Sequence, residues 1–176
     1  MKTFKPGIKS FMMWIGAPLI FGVLIASVLW QSGQAATSGT DMPDPKANSL
    51  WEYITTMDNY ENWQSWPGKA GMYEGQSPHG DYLKLYVNPE AFQALERQHV
   101  TMPYRAIIVK ENYNEKKRLI AITPMYKVEG YDARAGDWFW AKYGTDGSVM
   151  ASGKTSGCID CHSKVKDNDF LFSVAD

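Results

Sequence analysis

Apolar residues change their spacing several times along the chain, and each change marks an element. From Phe11 to Trp30 (FMMWIGAPLIFGVLIASVLW) the run carries no charge; twenty helical residues at about 1.5 Å rise each span about 30 Å, the hydrocarbon thickness of a bilayer. Lys2, Lys5 and Lys9 precede this run and no lysine or arginine follows it closely, a bias that places the N-terminus inside and the remainder outside. The competing reading is a cleaved signal peptide, since Gly33-Gln34-Ala35 is a small-x-small site, but such a peptide needs an apolar region of only about 7–15 residues. Length favours an anchor. The expected organisation is a cytoplasmic end over 1–10, a transmembrane helix over 11–30, a flexible Ser/Gly/Thr/Asp/Pro-rich linker over 31–47 and one folded domain over 48–176.

Inside the domain the period switches between helix and strand. Leu50, Tyr53, Ile54 and Met57 recur at helical spacing and predict an amphipathic helix over 48–60, capped by Asn48 or Ser49. The stretch 81–88 alternates as a strand, and 89–98 reads as a helix with Pro89 at its first position and Ala91, Phe92 and Leu95 on its apolar side. Strands are expected over 104–112, 118–128 and 136–143. Asp146-Gly147 predicts a two-residue hairpin turn into a short strand over 148–151. Pro124 interrupts a strand pattern, so that strand is expected to lie at an edge or to bulge there. The fold class is therefore α+β: a mostly antiparallel sheet with flanking helices.

Composition narrows the function classes. Lys and Arg total 18 against 19 Asp and Glu, so no strong field of one sign would attract nucleic acid, and that class is excluded. The 7 Trp, 10 Tyr and 7 Phe supply enough large apolar bodies to wall a flat hydrophobic cofactor.

Cys158-Ile159-Asp160-Cys161-His162 fits the C-x-x-C-H pattern of c-type haem attachment. Thiols three positions apart on a helical turn meet the two haem vinyl groups, and the adjacent His162 reaches the iron as proximal ligand. Structural zinc needs four ligands, and the chain has no other cysteine. A thioredoxin-like dithiol would be expected near a βαβ pattern, which is absent. The reading is one covalently attached haem c, carried on a C-terminal helix. Cytochromes with an early motif and a later methionine ligand are excluded, because only 14 residues follow His162. A four-helix bundle and a β-rich domain both accommodate a late motif, and the strand patterns favour the second.

The ordered set SPHGDYLKLYVNPEAF, MPYRAIIVKENY, MYKVEGYDARAGDWFWAKYGTDG, CIDCH and KDNDF resembles the cytochrome P-460 family and its close relative cytochrome c′-beta, over about residues 48–174. The resemblance implies a β-rich haem c domain, often a homodimer, with five-coordinate iron and a chemistry of small nitrogen ligands such as hydroxylamine and nitric oxide. It also implies a lysine linked to the haem macrocycle, and by position in IIVKEN this maps onto Lys110. Strand alternation alone allows Lys110 to be solvated while Ile107 and Val109 face the core. Catalytic relatives place a carboxylate just before the haem motif as general base, whereas this chain has Gly153-Lys154-Thr155-Ser156-Gly157 there. Asp137 and Glu111 remain as carboxylates on other strands, each read as a solvated face residue.

His79, His99, Met102, Met125 and Met150 are the other side chains able to reach an iron. His79 sits in a Pro-His-Gly turn, read as structural or wet, and Met125 is read as core packing. Consecutive Trp138, Phe139 and Trp140 point to both sheet faces and could wall the haem on one. Two functions are carried forward. The first is a membrane-anchored mono-haem cytochrome, with its haem domain in the periplasm, that binds or redox-processes small nitrogen ligands at an open distal site. The second is an electron carrier, or a haem subunit of a larger respiratory complex, working with a redox partner protein.

Overall fold

The computed structural model describes residues 41–98 and 101–173; the apolar run 11–30, most of the linker, and His99 lie outside them. Among the described residues no helix is long and apolar enough to cross a membrane. The strands are β1 (Gln64–Ser65), β2 (Tyr73–Glu74), β3 (Tyr82–Val87), β4 (Ile107–Tyr113), β5 (Leu119–Lys127), β6 (Trp138–Tyr143) and β7 (Val149–Gly153). They form one sheet in the order β1-β3-β4-β5-β6-β7, with β2 also pairing β3. All pairs are antiparallel. The expected α+β architecture is present, and β1 and β2, two residues each, are too short to leave a period in the sequence.

Register assigns the side chains to two faces. Leu85 lies opposite Lys110 and Lys110 opposite Thr123, while Met125 lies opposite Trp140 and Trp140 opposite Gly153, so these residues share one face. Val109, Ile122, Tyr126, Phe139 and Tyr143 occupy the other. Both faces are covered, which explains why β4 is buried along nearly its whole length instead of alternating. Helix α1 (Ala47–Glu52) packs Leu50 on the second face, with Tyr53 and Ile54 from the π-helical turn that continues it. Helices α2 (Pro89–Glu96) and α3 (Ser156–His162) contribute Ala91, Ala94, Leu95, Cys158 and Ile159 to the first face.

The first helix departs from expectation. Its N-cap is Lys46, with no side-chain cap, and regular α geometry ends at Glu52, giving way to a π turn over Tyr53–Met57. Thr55 sits in that turn, and its hydroxyl donates to the Trp51 carbonyl at 2.7 Å, a local bond that competes with the helical ladder. Asn88 caps α2: its Oδ1 accepts from the Ala91 and Ile107 N–H groups at 3.1 and 2.9 Å, fastening the helix start to β4.

One strand assignment and one turn assignment also change. β5 is an interior strand, not an edge, and Pro124 is accommodated because pairing with β6 skips Thr123 and Pro124. The Asp146-Gly147 hairpin is a three-residue loop closed by Gly144 N–H to Ser148 O at 2.8 Å, with Gly147 left-handed at φ 82°. Asp146 Oδ1 accepts from both the Ser148 N–H and its hydroxyl, which favours this wider turn with its left-handed third residue.

Candidate haem site

Cys158, Cys161 and His162 stand at i, i+3 and i+4 of α3, the spacing that puts three side chains on one helix face. Both thiols are free and half-buried, and His162 is buried. All three line a cavity of about 280 Å³ between α3 and the first sheet face, near the lower end of the roughly 300–1,000 Å³ of small-molecule pockets. Ile108, Met125 and Trp140 supply apolar wall. Trp140 lies edge-on to the His162 ring with centroids 4.7 Å apart. Its partner in sequence, Phe139, points into the other core, so the Trp-Phe-Trp run splits between faces as expected.

The His162 ring is held in one tautomer. Its Nδ1 is 2.6 Å from the Phe170 carbonyl oxygen; a carbonyl only accepts, so Nδ1 carries the proton and Nε2 keeps a free lone pair. Burial lowers the His162 pKa below the usual 6.5, the Phe170 carbonyl raises it, and the Lys110 charge lowers it further. That carbonyl is aimed by a strained turn in which Asp169 and Phe170 have φ of 50° and 64°. For a bulky residue such backbone is unfavourable by about 1–3 kcal/mol and persists only when its surroundings hold it. Here they do. Asp169 Oδ1 is 2.5 Å from Lys127 Nζ, its Oδ2 accepts from the Met102 N–H at 2.7 Å, and its carbonyl accepts from the Trp138 indole at 3.0 Å. Gly136 completes the seat, since a Cβ there would stand 2.7 Å from the Phe170 ring.

Lys110 lines the same cavity, and no hydrogen bond or ion pair to its ammonium is formed among the described residues. Burial, with a smaller push from Lys69, lowers its pKa from 10.5 to about 8, against a small opposing effect of Cys161. The fully solvated alternative gives way to a half-buried one: Ile107 and Val109 do face a core, and Lys110 lines the cavity. Because the folded pKa lies below the unfolded one, the unfolded chain binds the extra proton between about pH 8 and 10.5, and the Lys110 contribution to stability rises across that window. Lys110→Met is therefore expected to stabilise the haem-free domain by about 2 kcal/mol at pH 7, with the gain fading by pH 10.5. Urea unfolding at both pH values checks this, and a pH-independent difference would contradict it.

His79 also lines the cavity, although its turn gave no sign of this in the sequence. Burial first, then the Lys110 charge, lower its pKa to about 4, so the ring is neutral. Lys142 is a second basic residue on the lining that sequence reasoning missed; its position opposite Ala151 on β7 is visible only once the register is known. Met125 both packs in the core and lines the cavity, whereas Met102 is core alone and Met150 is exposed. Neither substitute carboxylate reaches the site. Glu111 is not a solvated residue: it is buried on the opposite sheet face, accepting from Tyr60 and Tyr113 hydroxyls at 3.0 and 2.6 Å. Asp137 precedes β6 and accepts from the Asp132 N–H. Among the described residues no Asp or Glu lines the cavity.

These residues fit a haem. The lining is mainly apolar, two free thiols and an imidazole with an available Nε2 converge on it, and the buried Trp140 Nε1–H has no acceptor among the described residues. Residues able to hold the group are Cys158 and Cys161 by thioether bonds, His162 by iron ligation, and Lys110 by contact. Together the antiparallel sheet and this cavity define the class of a haem-binding β-rich domain. The cytochrome P460 family model matches residues 57–173, and the chain belongs to that family, which implies a haem cofactor. No curated protein matches the chain.

Proposed function

We propose that the protein is a membrane-anchored mono-haem c cytochrome, facing the periplasm, that binds or redox-processes small nitrogen compounds such as nitric oxide and hydroxylamine. The observation that carries this reading is the convergence of Cys158, Cys161 and His162 on one cavity, with His162 Nδ1 tied to Phe170 so that Nε2 is left for iron. The anchor rests on the uncharged run 11–30 and the lysines before it. Bound haem would supply one-electron chemistry and a ligand-binding iron.

The protein's own groups define what accompanies that chemistry. His162 is fixed and neutral for ligation. Lys110 and Lys142 bring positive charge to the cavity, and among the described residues no carboxylate lines it to take protons from hydroxylamine. Ligand binding is thus favoured over proton-coupled hydroxylamine oxidation. The electron-carrier reading is favoured by one observation, the presence of His79 within the cavity. Titration of the reduced holoprotein with nitric oxide decides between them: shifted absorption bands at stoichiometric ligand support the proposal, and an unchanged spectrum at large excess sinks it. Hydroxylamine consumption with an electron acceptor is expected to stay near that of free haem.

A further inference from the structure

We infer that Glu111, with the phenols of Tyr60 and Tyr113, forms an oxidisable site behind the haem: when the holoprotein meets hydrogen peroxide, one of these tyrosines gives an electron to the haem and its proton to the Glu111 carboxylate. This rests on the assignment of haem to Cys158, Cys161 and His162, and adds an activity toward a second class of small molecule. Glu111 is 4 % exposed. Its Oε1 accepts from the Tyr60 hydroxyl at 3.0 Å and its Oε2 from the Tyr113 hydroxyl at 2.6 Å, both within the distance at which a carboxylate takes a proton directly. Lys84 Nζ stands 3.8 Å from Oε2, but its side chain is 35 % exposed, so it offsets the buried charge only in part. Burial first, then Glu111, raises the pKa of both phenols, so each stays protonated until an electron leaves. A buried phenol without such a base has nowhere to send its proton: Tyr143 donates to the Ala47 carbonyl at 2.7 Å, and an amide carbonyl accepts a hydrogen bond without taking the proton.

The site lies one strand away from the cavity. Lys110 and Asn112 of β4 line the cavity, while Glu111 and Tyr113 turn to the other face, with consecutive Cα atoms about 3.8 Å apart. Asn112 Oδ1 is 2.9 Å from Nδ1 of His79, on the cavity-side turn. That turn presses on the strand at Tyr113 itself: a Cβ at Gly80, which also lines the cavity, would lie 2.3 Å from the Tyr113 carbonyl oxygen, and one at Gly75 would lie 2.1 Å from the Gly80 carbonyl oxygen. Packed backbone therefore joins the cavity wall to the phenols. On the outer side the Tyr60 ring meets the half-buried Tyr86 ring edge-on, with centroids 5.4 Å apart, a route for an external reductant to return the electron. The step balances as follows. Cleavage of the peroxide O–O bond releases one water and leaves the second oxygen, with two oxidising equivalents, at the haem. The tyrosine electron fills one of them; the phenol O–H bond breaks, its proton joins Glu111, and a neutral tyrosyl radical remains.

The test uses ferric holoprotein, with covalent haem verified first by intact mass. Haem that extracts freely refutes the haem c assignment and, with it, this inference. With haem attached, one equivalent of hydrogen peroxide followed by rapid freezing is expected to give a protein radical by electron paramagnetic resonance, and the signal should narrow when the protein is grown with ring-deuterated tyrosine. Tyr60→Phe combined with Tyr113→Phe is expected to lose the signal, whereas Tyr143→Phe keeps it. Glu111→Gln is expected to lose it as well. That variant retains both phenols and an acceptor oxygen, so the loss reports the missing base and not the packing. A wild type that forms no radical, or one that deuterated tyrosine leaves unchanged, overturns the inference while leaving the haem assignment intact, and this reading does not depend on any variant folding. A full signal in the double variant or in Glu111→Gln also overturns it.

Discussion

Asp169→Ala is expected to destabilise the domain by about 3–5 kcal/mol, the typical cost of removing one partner from a buried ion pair. The Lys127 and Asp169 side chains are each 6 % exposed, so the ammonium left behind is buried, with the Trp138 ring 4.9 Å away as its remaining favourable contact. The Met102 N–H loses its acceptor in the same stroke. Ala also tolerates the left-handed backbone at position 169 less well than Asp or Asn. Asp169→Asn separates these effects, since it keeps a side-chain oxygen and the backbone preference but removes the charge. Asp169→Ala combined with Lys127→Met removes both charges and is expected to recover part of the loss, because a paired deletion strands neither ion. Urea unfolding of the three variants measures this; a loss under about 1 kcal/mol for Asp169→Ala would show that the pair contributes little. The consequence reaches the site through one residue. Phe170 follows Asp169 in the strained turn and supplies the carbonyl that fixes His162, so loosening the pair should free the proximal ring along with the fold.

That link could not be read from the sequence, and the reason is physical. Lys127 and Asp169 are 42 positions apart, and a charge at the end of a strand pattern reads as solvated unless the opposing segment is known. The strand and helix patterns did indicate β3 to β7 and α2, most plainly where one face is buried and the period is two or 3.6, as at β3 and α2. The period fails where both faces are covered, as at β4, and there Lys110 and Glu111 exchange apparent roles: adjacent in sequence, one enters the cavity and the other a buried tyrosine cluster. Cys158, Cys161 and His162 were legible because three residues of one helical turn carry their geometry with them. His79 was not. Its place depends on β4 register, on Asn112, and on glycines that let a turn approach the sheet, none of which leaves a local signature beyond the Pro-His-Gly turn itself.

Cys158→Ser with Cys161→Ser is expected to abolish covalent haem while leaving the fold largely intact. Both thiols are half-buried, make no disulfide, and only Cys158 packs against the core cluster, so their removal takes little from stability. Their effect lies in attachment. A thioether keeps haem in the site whatever the free haem concentration, whereas ligation by His162 alone is a reversible equilibrium. Denatured, acid-treated wild-type protein should retain haem on the peptide containing residues 158–162, and the double variant should release all of it. Each single variant should keep one bond and remain coloured. The tyrosine cluster and the Lys127–Asp169 pair lie outside the thiol positions, so unfolding free energies of the haem-free wild type and double variant should agree within about 0.5 kcal/mol, as for substitutions away from buried networks. Haem that stays bound through denaturation in the double variant would mean that another side chain holds the macrocycle, and Lys110, with its ammonium in the same cavity, is the residue to replace next.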